Sequence, residues 1–396
     1  MGGSATPVKW NPFSPNYFEN PYPHLKACRD TNPIQLDNYG NVLLFRYADI
    51  EPILSDTRFE ASDLSAYHAD KEPYIFKNSS QCPFLSKTTS KWLMYLNGQE
   101  HRQIRVALGK AIFEYDYEAL IHAALQETIA QFEQRDDFDL VDLSMSFIHH
   151  ILRAFIGIND AVSMAEIAEY SNHLARSQDL FITKQQYLKM NEFFNWGKGI
   201  FKEDGFKAVL QKHMGHLNLS EDDLYSLLTV TLMAFFETSK DNLAMSLMAM
   251  LKQPDIMPAL ANADGVFAKQ MTEEFIRMNS PLQFTIRVNT EPVSIQCVEY
   301  PARTKFYLSV ASANRDESVF ETPDVLRIDR FKNAHLGFGA GVHTCLGALV
   351  ARKEMEIALP ILARFIKSYR LDETKDPVFA RQIFMHTLHH AYVIRK

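Results

Sequence analysis

The stretch "HLGFGAGVHTCLGALVARKE", residues 335–354, holds one cysteine, Cys345, between a glycine-rich run and a segment with helical periodicity. The four glycines around that cysteine are Gly337, Gly339, Gly341 and Gly347. No second cysteine lies close enough for a zinc spacing or a Cys-x-x-Cys redox pair. The stretch therefore raises two questions: why glycines crowd around a single cysteine, and what chemistry a lone thiol performs there.

The composition places this stretch in an ordinary globular protein. The chain has 396 residues, 46% hydrophobic and 22% charged, with a formal net charge of −7. That composition supports a large core, and the acidic balance argues against a nucleic-acid-binding face. Four widely spaced cysteines indicate a reducing compartment, so we expect a cytoplasmic protein. The most apolar run, residues 227–236, is far shorter than the ~20 residues of a membrane span, so no membrane association is expected.

The order of patterns along the chain predicts an α+β fold that is predominantly helical. Residues 33–54 predict two short strands around the turn "DNYGN" and then a helix, whereas residues 58–92 show no clean period and predict a long loop with short helical pieces. Helical spacing dominates residues 99–260, where Ser220 and Asp223 predict a capped start of the longest helix. Strand-like alternation follows in residues 283–310. We expect one compact unit over residues 1–396.

Four chemistries could explain the glycine-rich stretch. A dinucleotide-binding loop would need a third glycine where Thr344 stands. A catalytic thiol with His343 as its base would need a third group to orient the histidine, and the sequence shows none. The third chemistry is purely structural, with a buried cysteine in a glycine-rich turn. The fourth is a metal-bound thiolate, because a glycine loop that leads into a helix N-terminus supplies N–H donors and a positive dipole end. Axial ligation of haem iron by Cys345 requires these features.

The stretch resembles a known signature. "FGAGVHTCLG", residues 338–347, is similar to the haem-binding motif Phe-Gly-x-Gly-x-His-x-Cys-x-Gly of the cytochrome P450 monooxygenases, soluble bacterial type. "EEFIR", "PDVLRIDR", "QEHRQIR" and "FTIRV" resemble further motifs of that family, in its order; they supply Glu274, Arg277, Arg330, His101, Arg105 and Arg287. The resemblance implies the cytochrome P450 fold. In that fold haem lies between a long central helix and the cysteine loop, with small β-sheets at the N-terminal side and before that loop.

The resemblance also implies the cofactor and its partners. The cofactor would be haem b (iron protoporphyrin IX), with Cys345 as the axial ligand of the iron. The expected cofactor-binding residues are His101, Arg105, Ala234, Arg287, His343, Cys345 and Gly347. The two haem carboxylates need charged hydrogen-bond donors, for which His101, Arg105, Arg287 and His343 are the candidates. Glu274, Arg277 and Arg330 are expected to form a structural ion network.

On the oxygen side, the family's helix motif corresponds to "AFFETS", which keeps the acid–alcohol pair as Glu237 and Thr238. These two residues are the expected catalytic pair for proton delivery. A threonine within a helix can donate to the carbonyl four residues back, here that of Ala234. Phe235 stands where the family usually has glycine, so its ring is expected to narrow the distal pocket. A second departure, "RQIFMHTLHH" near the C-terminus, predicts an unusual far wall of the substrate pocket.

The implied activity is insertion of one atom of O2 into a small, mainly apolar molecule, with hydroxylation in secondary-metabolite biosynthesis as the expected case. Electrons would come from NAD(P)H through a separate ferredoxin or flavodoxin and its reductase, docked on a basic face of Arg102, Arg352 and Lys353. The resemblance also implies a single catalytic domain over residues 1–396 with no fused reductase, and a monomer is expected. The expected substrate pocket includes Phe235, Gln283, Phe284, Ile286 and Phe384, with lining from residues 61–87, 165–198 and 383–386, and with Gln283 and His386 as polar anchors. Two alternatives stay open: peroxide-driven oxidation or oxidative coupling, and a non-catalytic haem sensor.

Overall fold

The structure is a computed structural model that describes residues 6–77, 84–179 and 182–396. The chain forms two compact units. The first comprises Met1–Ser62 and Asp241–Lys396, and the second comprises Asp63–Lys240. The two units are described separately below, and the long helix that carries the acid–alcohol pair contributes residues to both.

The α-helices are α1 Tyr22–Thr31, α2 Tyr47–Ser55, α3 Leu64–Ile75, α4 Phe84–Thr89, α5 Gly98–Ile112, α6 Tyr117–Phe132, α7 Leu140–Ile156, α8 Met164–Arg176, α9 Lys184–Gly197, α10 Phe206–Met214, α11 Glu221–Lys252, α12 Met257–Ala261, α13 Gly265–Asn279, α14 Val310–Ala313 and α15 Ala348–Ile366. The strands are β1 Ile34–Leu36, β2 Val42–Leu44, β3 Phe59–Ala61, β4 Asp137–Asp139, β5 Thr285–Asn289, β6 Val293–Ile295, β7 Val298–Tyr300, β8 Lys305–Leu308, β9 Tyr369–Leu371, β10 Val378–Phe379, β11 Leu388–His390 and β12 Tyr392–Arg395.

The first unit is built on a five-stranded sheet in the order β1-β2-β8-β5-β3. Only β2 and β8 run parallel, and the other neighbours are antiparallel. Leu44, Phe59, Phe306 and Leu308 from three of these strands are buried in one apolar cluster. The predicted strands of residues 33–54 and those predicted before the cysteine loop are therefore confirmed. Strands β1, β2, β5 and β8 share this sheet, whereas β6 and β7 pair with each other in a separate two-stranded sheet.

Helices α13 and α15 of the first unit pack on each other. Glu274 lies on α13 and Cys345 lies three residues before α15, so this pair of helices fixes the backbone around the cysteine loop. At the C-terminal end β9 pairs with β12, and β10 pairs with β11 across an irregular register.

The second unit is helical, as predicted for residues 99–260. Its principal helix contacts pair α6 with α7 and α5 with α10. The polar groups on the N-terminal half of α11 are satisfied within this unit: Trp92 Nε1 donates to Thr229 Oγ1 at 3.3 Å, and Ser226 Oγ donates to the Thr88 carbonyl at 2.6 Å. Among the described residues, no helix combines the length and the apolar character that crossing a bilayer requires.

Helix α11 begins as the sequence predicts. The Asp223 carboxylate accepts from the Ser220 backbone N–H at 3.0 Å, and the Asp223 N–H donates to Ser220 Oγ at 3.2 Å. This reciprocal pair satisfies two donors that a helix start leaves open. Most side chains of the following 30 residues are buried, but Thr238 is exposed.

The prediction for residues 58–92 is partly wrong. This segment contains β3, α4 and the 12-residue helix α3, although residues 78–83 lie outside the described part of the chain. Helix α3 was missed because it has no apolar stripe. It is held instead by polar contacts: the Asp63 side chain accepts from the Ala66 N–H at 2.8 Å, and Glu72 accepts from the Ser86 N–H at 3.0 Å. Polar tethers of this kind leave no periodic signal in the sequence.

Candidate functional site

The cysteine loop, residues 335–347, presents the Cys345 thiol at the surface of the first unit. Cys345 is exposed, its backbone N–H donates to the Phe338 carbonyl at 2.8 Å, and α15 begins three residues later. A thiol just before a helix N-terminus lies near the positive end of the helix dipole, which favours the thiolate. The loop therefore meets the electrostatic requirement for a metal-bound thiolate that the sequence predicted.

The glycines are explained by backbone geometry. Gly339 and Gly341 have φ angles of +65° and +68°, which lie in the left-handed region that favours glycine. A Cβ atom at Gly341 would also lie 2.4 Å from the Leu54 carbonyl oxygen, so α2 packs directly against this turn. A Cβ atom at Gly347 would lie 3.9 Å from Cys345 Sγ. The glycines let the loop reverse its direction close to α2 and leave the sulfur accessible.

A buried ion network braces the same unit, with the partners that the sequence predicted. Arg277 donates to Glu274 from Nε at 2.8 Å and from Nη2 at 2.7 Å, and Arg330 Nε donates to Glu274 at 2.9 Å. All three side chains are buried. Burial by itself raises the pKa of Glu274, but the hydrogen bonds from Arg277 and the nearby positive charges lower it overall. The carboxylate is therefore ionised between two guanidinium groups.

The remaining candidate haem contacts are divided between the units. In the first unit Arg287 is buried on β5 with Nη1 2.9 Å from the Ile286 carbonyl, and His343 lies half-buried in the cysteine loop. In the second unit His101 and Arg105 lie one turn apart on α5, with His101 buried and Arg105 half-buried. The i, i+4 spacing places the last two side chains on one face of the helix.

The acid–alcohol pair on α11 has the predicted local geometry. Thr238 Oγ1 donates to the Ala234 carbonyl at 2.6 Å. Thr238 is exposed although Glu237 and Ser239 on either side are buried. This turn of the helix therefore offers a hydroxyl and a half-exposed alanine to a ligand.

Glu237 has a partner that the sequence interpretation missed. Its Oε2 atom lies 3.2 Å from Nζ of Lys240, and both side chains are buried. Its Oε1 atom is buried and has no hydrogen-bond partner among the described residues. A carboxylate in this arrangement is held in place by the lysine through one oxygen and has the other available to exchange a proton. The missed signal was the i, i+3 spacing of an acid and a base.

The structure adds an aromatic contact to the expectation for Phe235. Its ring lies 6.0 Å from that of Phe155 on α7, and Phe155 in turn packs on Phe206 and Tyr115 at 4.8 and 5.0 Å. The ring of Phe235 thus belongs to an aromatic cluster of the second unit. The physical reason is that aromatic neighbours on α7 and α10 offer more contact than an open helix face.

This packing predicts that Phe235→Ala acts on stability and leaves ligand access unchanged. Phe235 is only partly buried, so the free energy of unfolding should fall by less than the ~3–5 kcal/mol typical of a core phenylalanine. Urea unfolding measures this loss, and titration with substituted imidazoles measures access. Phe18→Ala, in the first unit, is the control for losing an aromatic ring elsewhere. A large gain in affinity for bulky imidazoles would support the original pocket assignment.

The proposed substrate-pocket residues of the first unit partly pack on one another. The ring of Phe284 lies 6.2 Å from Phe384 and 5.3 Å from Trp10, and the Gln283 N–H donates to the Phe384 carbonyl at 2.8 Å. Ile286 is half-buried on β5. The segment that contains β5 and the segment that contains Phe384 are therefore in contact, as a shared pocket wall requires. Much of the surface of the Phe284 and Phe384 rings is covered by their packing on neighbouring rings.

The two expected polar anchors are buried and stay predictions. The Gln283 amide donates to the Ser280 carbonyl at 2.7 Å, and His386 is buried with its ring stacked on Phe379 at 4.6 Å. Burial lowers the pKa of His386 to about 4. Of the expected lining segments, residues 78–83 and 180–181 lie outside the described part of the chain.

The expected basic docking face is also modified. Arg352 donates to Glu273 from Nε at 2.6 Å and from Nη2 at 3.0 Å, so its charge is largely matched by a carboxylate. Lys353 is half-buried and Arg102 is exposed. The pairing of Arg352 with Glu273 was missed because the two residues are far apart in the sequence.

Comparison with known proteins agrees with this geometry. The family model described as Cytochrome P450 matches residues 180–391. The biotin biosynthesis cytochrome P450 of Bacillus subtilis is 24% identical over 375 residues, covering 90% of this chain and 92% of its own. The epothilone C/D epoxidase of Sorangium cellulosum is 25% identical over 396 residues, covering 93% and 91%.

Solved structures show the same fold. P450BioI, in its complex with an acyl carrier protein ligated to hexadec-9Z-enoic acid, has a TM-score of 0.83 at 23% identity and covers 96% of this chain and 99% of its own. CalO2 has a TM-score of 0.85 at 17% identity and covers 98% and 99%. The family model spans more than half of the chain, so the protein belongs to the cytochrome P450 family of haem monooxygenases.

Proposed function

We propose that this protein is a haem-thiolate monooxygenase that inserts one oxygen atom from O2 into a small, mainly apolar organic substrate in a biosynthetic pathway. The observation that carries this proposal is the exposed Cys345 in its glycine loop before α15. The biosynthetic assignment is supported by two relatives, which are named for biotin biosynthesis and for epothilone epoxidation. Hydroxylation is the proposed reaction.

The residues of the chain fit a haem. Cys345 would supply the axial sulfur, and the donors on Arg105, Arg287, His101 and His343 would hold the two carboxylates. The fit rests on the chemistry of this donor set: one accessible thiol near a helix N-terminus, and four nitrogen-bearing side chains suited to carboxylates. When bound, haem supplies the activation of O2, for which a cysteine ligand is the electron-rich choice.

Glu237 and Thr238 are the proposed proton-handling residues. The hydroxyl hydrogen of Thr238 is engaged by the Ala234 carbonyl, so its oxygen is oriented to accept a hydrogen bond from water or substrate. Glu237 would take up and release a proton at Oε1, while Lys240 holds Oε2.

Substrate would be recognised mainly by apolar contacts from Ile286 and from the edges of Phe284 and Phe384. Electrons would come from NAD(P)H through a separate ferredoxin or flavodoxin. Of the three basic residues expected to receive it, Arg102 and Lys353 are now the better candidates, because Arg352 is paired with Glu273. We propose one catalytic domain over residues 1–396.

Thr238→Ala is expected to uncouple electron use from product formation. The substitution removes the hydroxyl but leaves the helix intact, so haem content and substrate affinity should stay near those of the parent. Product formed per NAD(P)H consumed should fall by about 100-fold, the lower end of the ~10²–10⁴-fold that general acid–base groups contribute to rates. Hydrogen peroxide should rise in proportion. Thr238→Ser is the matched control because it keeps the hydroxyl; equal coupling in all three proteins would contradict the assignment.

Substrate titration followed by product analysis tests the proposed function. Candidate fatty acyl, polyketide and terpenoid molecules are added to the haem-loaded protein while the main haem absorption band is monitored for water displacement. Molecules that shift the band are then turned over with a surrogate ferredoxin and reductase under 18O2. One 18O atom in the product supports the proposal. Turnover with peroxide alone would replace the monooxygenase assignment by peroxide-driven oxidation, and a coupled product without added oxygen would replace it by oxidative coupling. Binding without any product would favour a haem sensor.

A further inference from the structure

A second polar network involves the position of helix α13 next to Glu274. Glu273, the residue before Glu274, receives hydrogen bonds from two other parts of the first unit. His335 Nε2 lies 2.9 Å from Glu273 Oε2, while Arg352 Nε and Nη2 lie 2.6 and 3.0 Å from the Oε1 and Oε2 atoms. One carboxylate thus joins α13, the start of the cysteine loop and α15.

The hydrogen-bond pattern defines the charge of each member. The Gly337 N–H donates to His335 Nδ1 at 3.1 Å, so that nitrogen is an acceptor. Nε2 must then carry the proton that it donates to Glu273, and the imidazole is neutral. Burial by itself raises the pKa of Glu273, but the hydrogen bonds from His335 and Arg352 lower it to about 2. The network consists of one carboxylate, one guanidinium and one neutral donor.

The network leads directly to the cysteine loop. The Arg352 guanidinium carbon lies 4.5 Å from the ring centroid of Phe338, and the Phe338 carbonyl accepts from the Cys345 N–H at 2.8 Å. His335 also packs against this ring at 5.9 Å. The hydrogen bond to Glu273 raises the pKa of Arg352, and the negative charge of Cys345 raises it further. The guanidinium charge of Arg352 therefore interacts electrostatically with the Cys345 sulfur.

We propose that Glu273, His335 and Arg352 form a positioning network that holds the guanidinium charge beside the Cys345 loop and thereby adjusts electron donation from the sulfur to the haem iron. This inference rests on the proposed function, because it requires Cys345 to be the axial ligand. None of the three residues is proposed to touch haem or substrate. Their role is to set the local charge balance, with Arg352 contributing a positive and Glu273 a negative charge.

Removing the positive charge and removing the negative charge should shift the haem midpoint potential in opposite directions. A purely structural role predicts no such difference in sign. The measured couple adds one electron to ferric haem and gives the ferrous form. A positive charge near the sulfur favours the added electron, so Arg352→Gln should lower the midpoint potential. Glu273→Gln leaves the guanidinium uncompensated and should raise it. His335→Leu should change the potential less than either, because the residue is neutral and acts through Glu273.

The experiment is spectroelectrochemical titration of the haem-loaded protein without substrate. The matched controls are Arg327→Gln and Glu321→Gln, an ion pair of the same unit whose side chains are 33% and 80% exposed, and their potentials should match that of the parent. Arg352→Lys keeps the charge and should bring the potential back toward the parent value. Shifts of the same sign in Arg352→Gln and Glu273→Gln would overturn the inference.

Two further outcomes are separable. Parent protein whose reduced carbonyl complex lacks the red-shifted thiolate band would refute the proposed function and this inference with it. A parent with that band, but with no shift in either charge variant, would refute this inference alone. If Glu273→Gln fails to retain haem, the comparison of Arg352→Gln with Arg352→Lys still tests the inference. Equal midpoint potentials in those two variants would exclude a role for the guanidinium charge.

Discussion

Replacing Cys345 by serine should abolish thiolate ligation and with it monooxygenase turnover. A serine hydroxyl has nearly the same shape but is not ionised at neutral pH, so the loop would present a weak, neutral ligand. The loss of activity should exceed the about 10–100-fold that follows changes to groups which merely orient a metal ligand. The reduced carbonyl complex should lose the red-shifted absorption band, and haem should dissociate more readily.

The matched control is Cys297→Ser, because Cys297 is also exposed but lies in the turn between β6 and β7. This variant should keep the band, the haem content and the turnover of the parent. A Cys345→Ser protein that retains an unchanged red-shifted band would show that another residue ligates the iron. The fold would then stand, while the central site assignment would fail.

Sequence reasoning succeeded where the interaction is local. The Ser220–Asp223 cap, the Thr238 to Ala234 hydrogen bond and the Glu274–Arg277 pair all join residues three or four positions apart on one helix. Helical geometry alone makes such neighbours. The glycine-rich loop was equally predictable, because positive φ angles and close approach to α2 both restrict those positions to glycine.

It failed where the outcome depends on partners that are distant in the chain. The ring of Phe235 could face a cofactor or a neighbouring helix, and the spacing along α11 does not distinguish these directions. The contact with Phe155, 80 residues earlier, comes from the fold and not from that spacing. The same holds for Arg352, which was assigned to a docking face and which also pairs with Glu273 on α13. A charge pattern predicts exposure only when no opposite charge is brought to it by the fold.

The largest expected effect on stability comes from Glu274→Gln. The Glu274 carboxylate is fully buried and accepts hydrogen bonds from Arg277, from Arg330, from the Arg327 N–H at 2.9 Å and from Asn333 Nδ2 at 3.1 Å. Glutamine fills the same volume, but it removes the negative charge and turns one acceptor oxygen into a donor. That donor would face guanidinium groups that are themselves buried.

Leaving a buried charge without its partner costs about 3–5 kcal/mol, which is a large part of the ~5–15 kcal/mol that stabilises a typical folded domain. Urea unfolding should therefore show a much lower midpoint for Glu274→Gln, and the protein should lose haem during purification because the network braces the loop that carries Cys345. Glu321→Gln is the control, since its exposed pair with Arg327 is expected to contribute at most about 1 kcal/mol. A Glu274→Gln variant as stable as this control would mean that the two arginines find other acceptors, and the carbonyls of Asn314 and Pro323, each 2.8 Å from Arg277 Nη1, would be the first to examine.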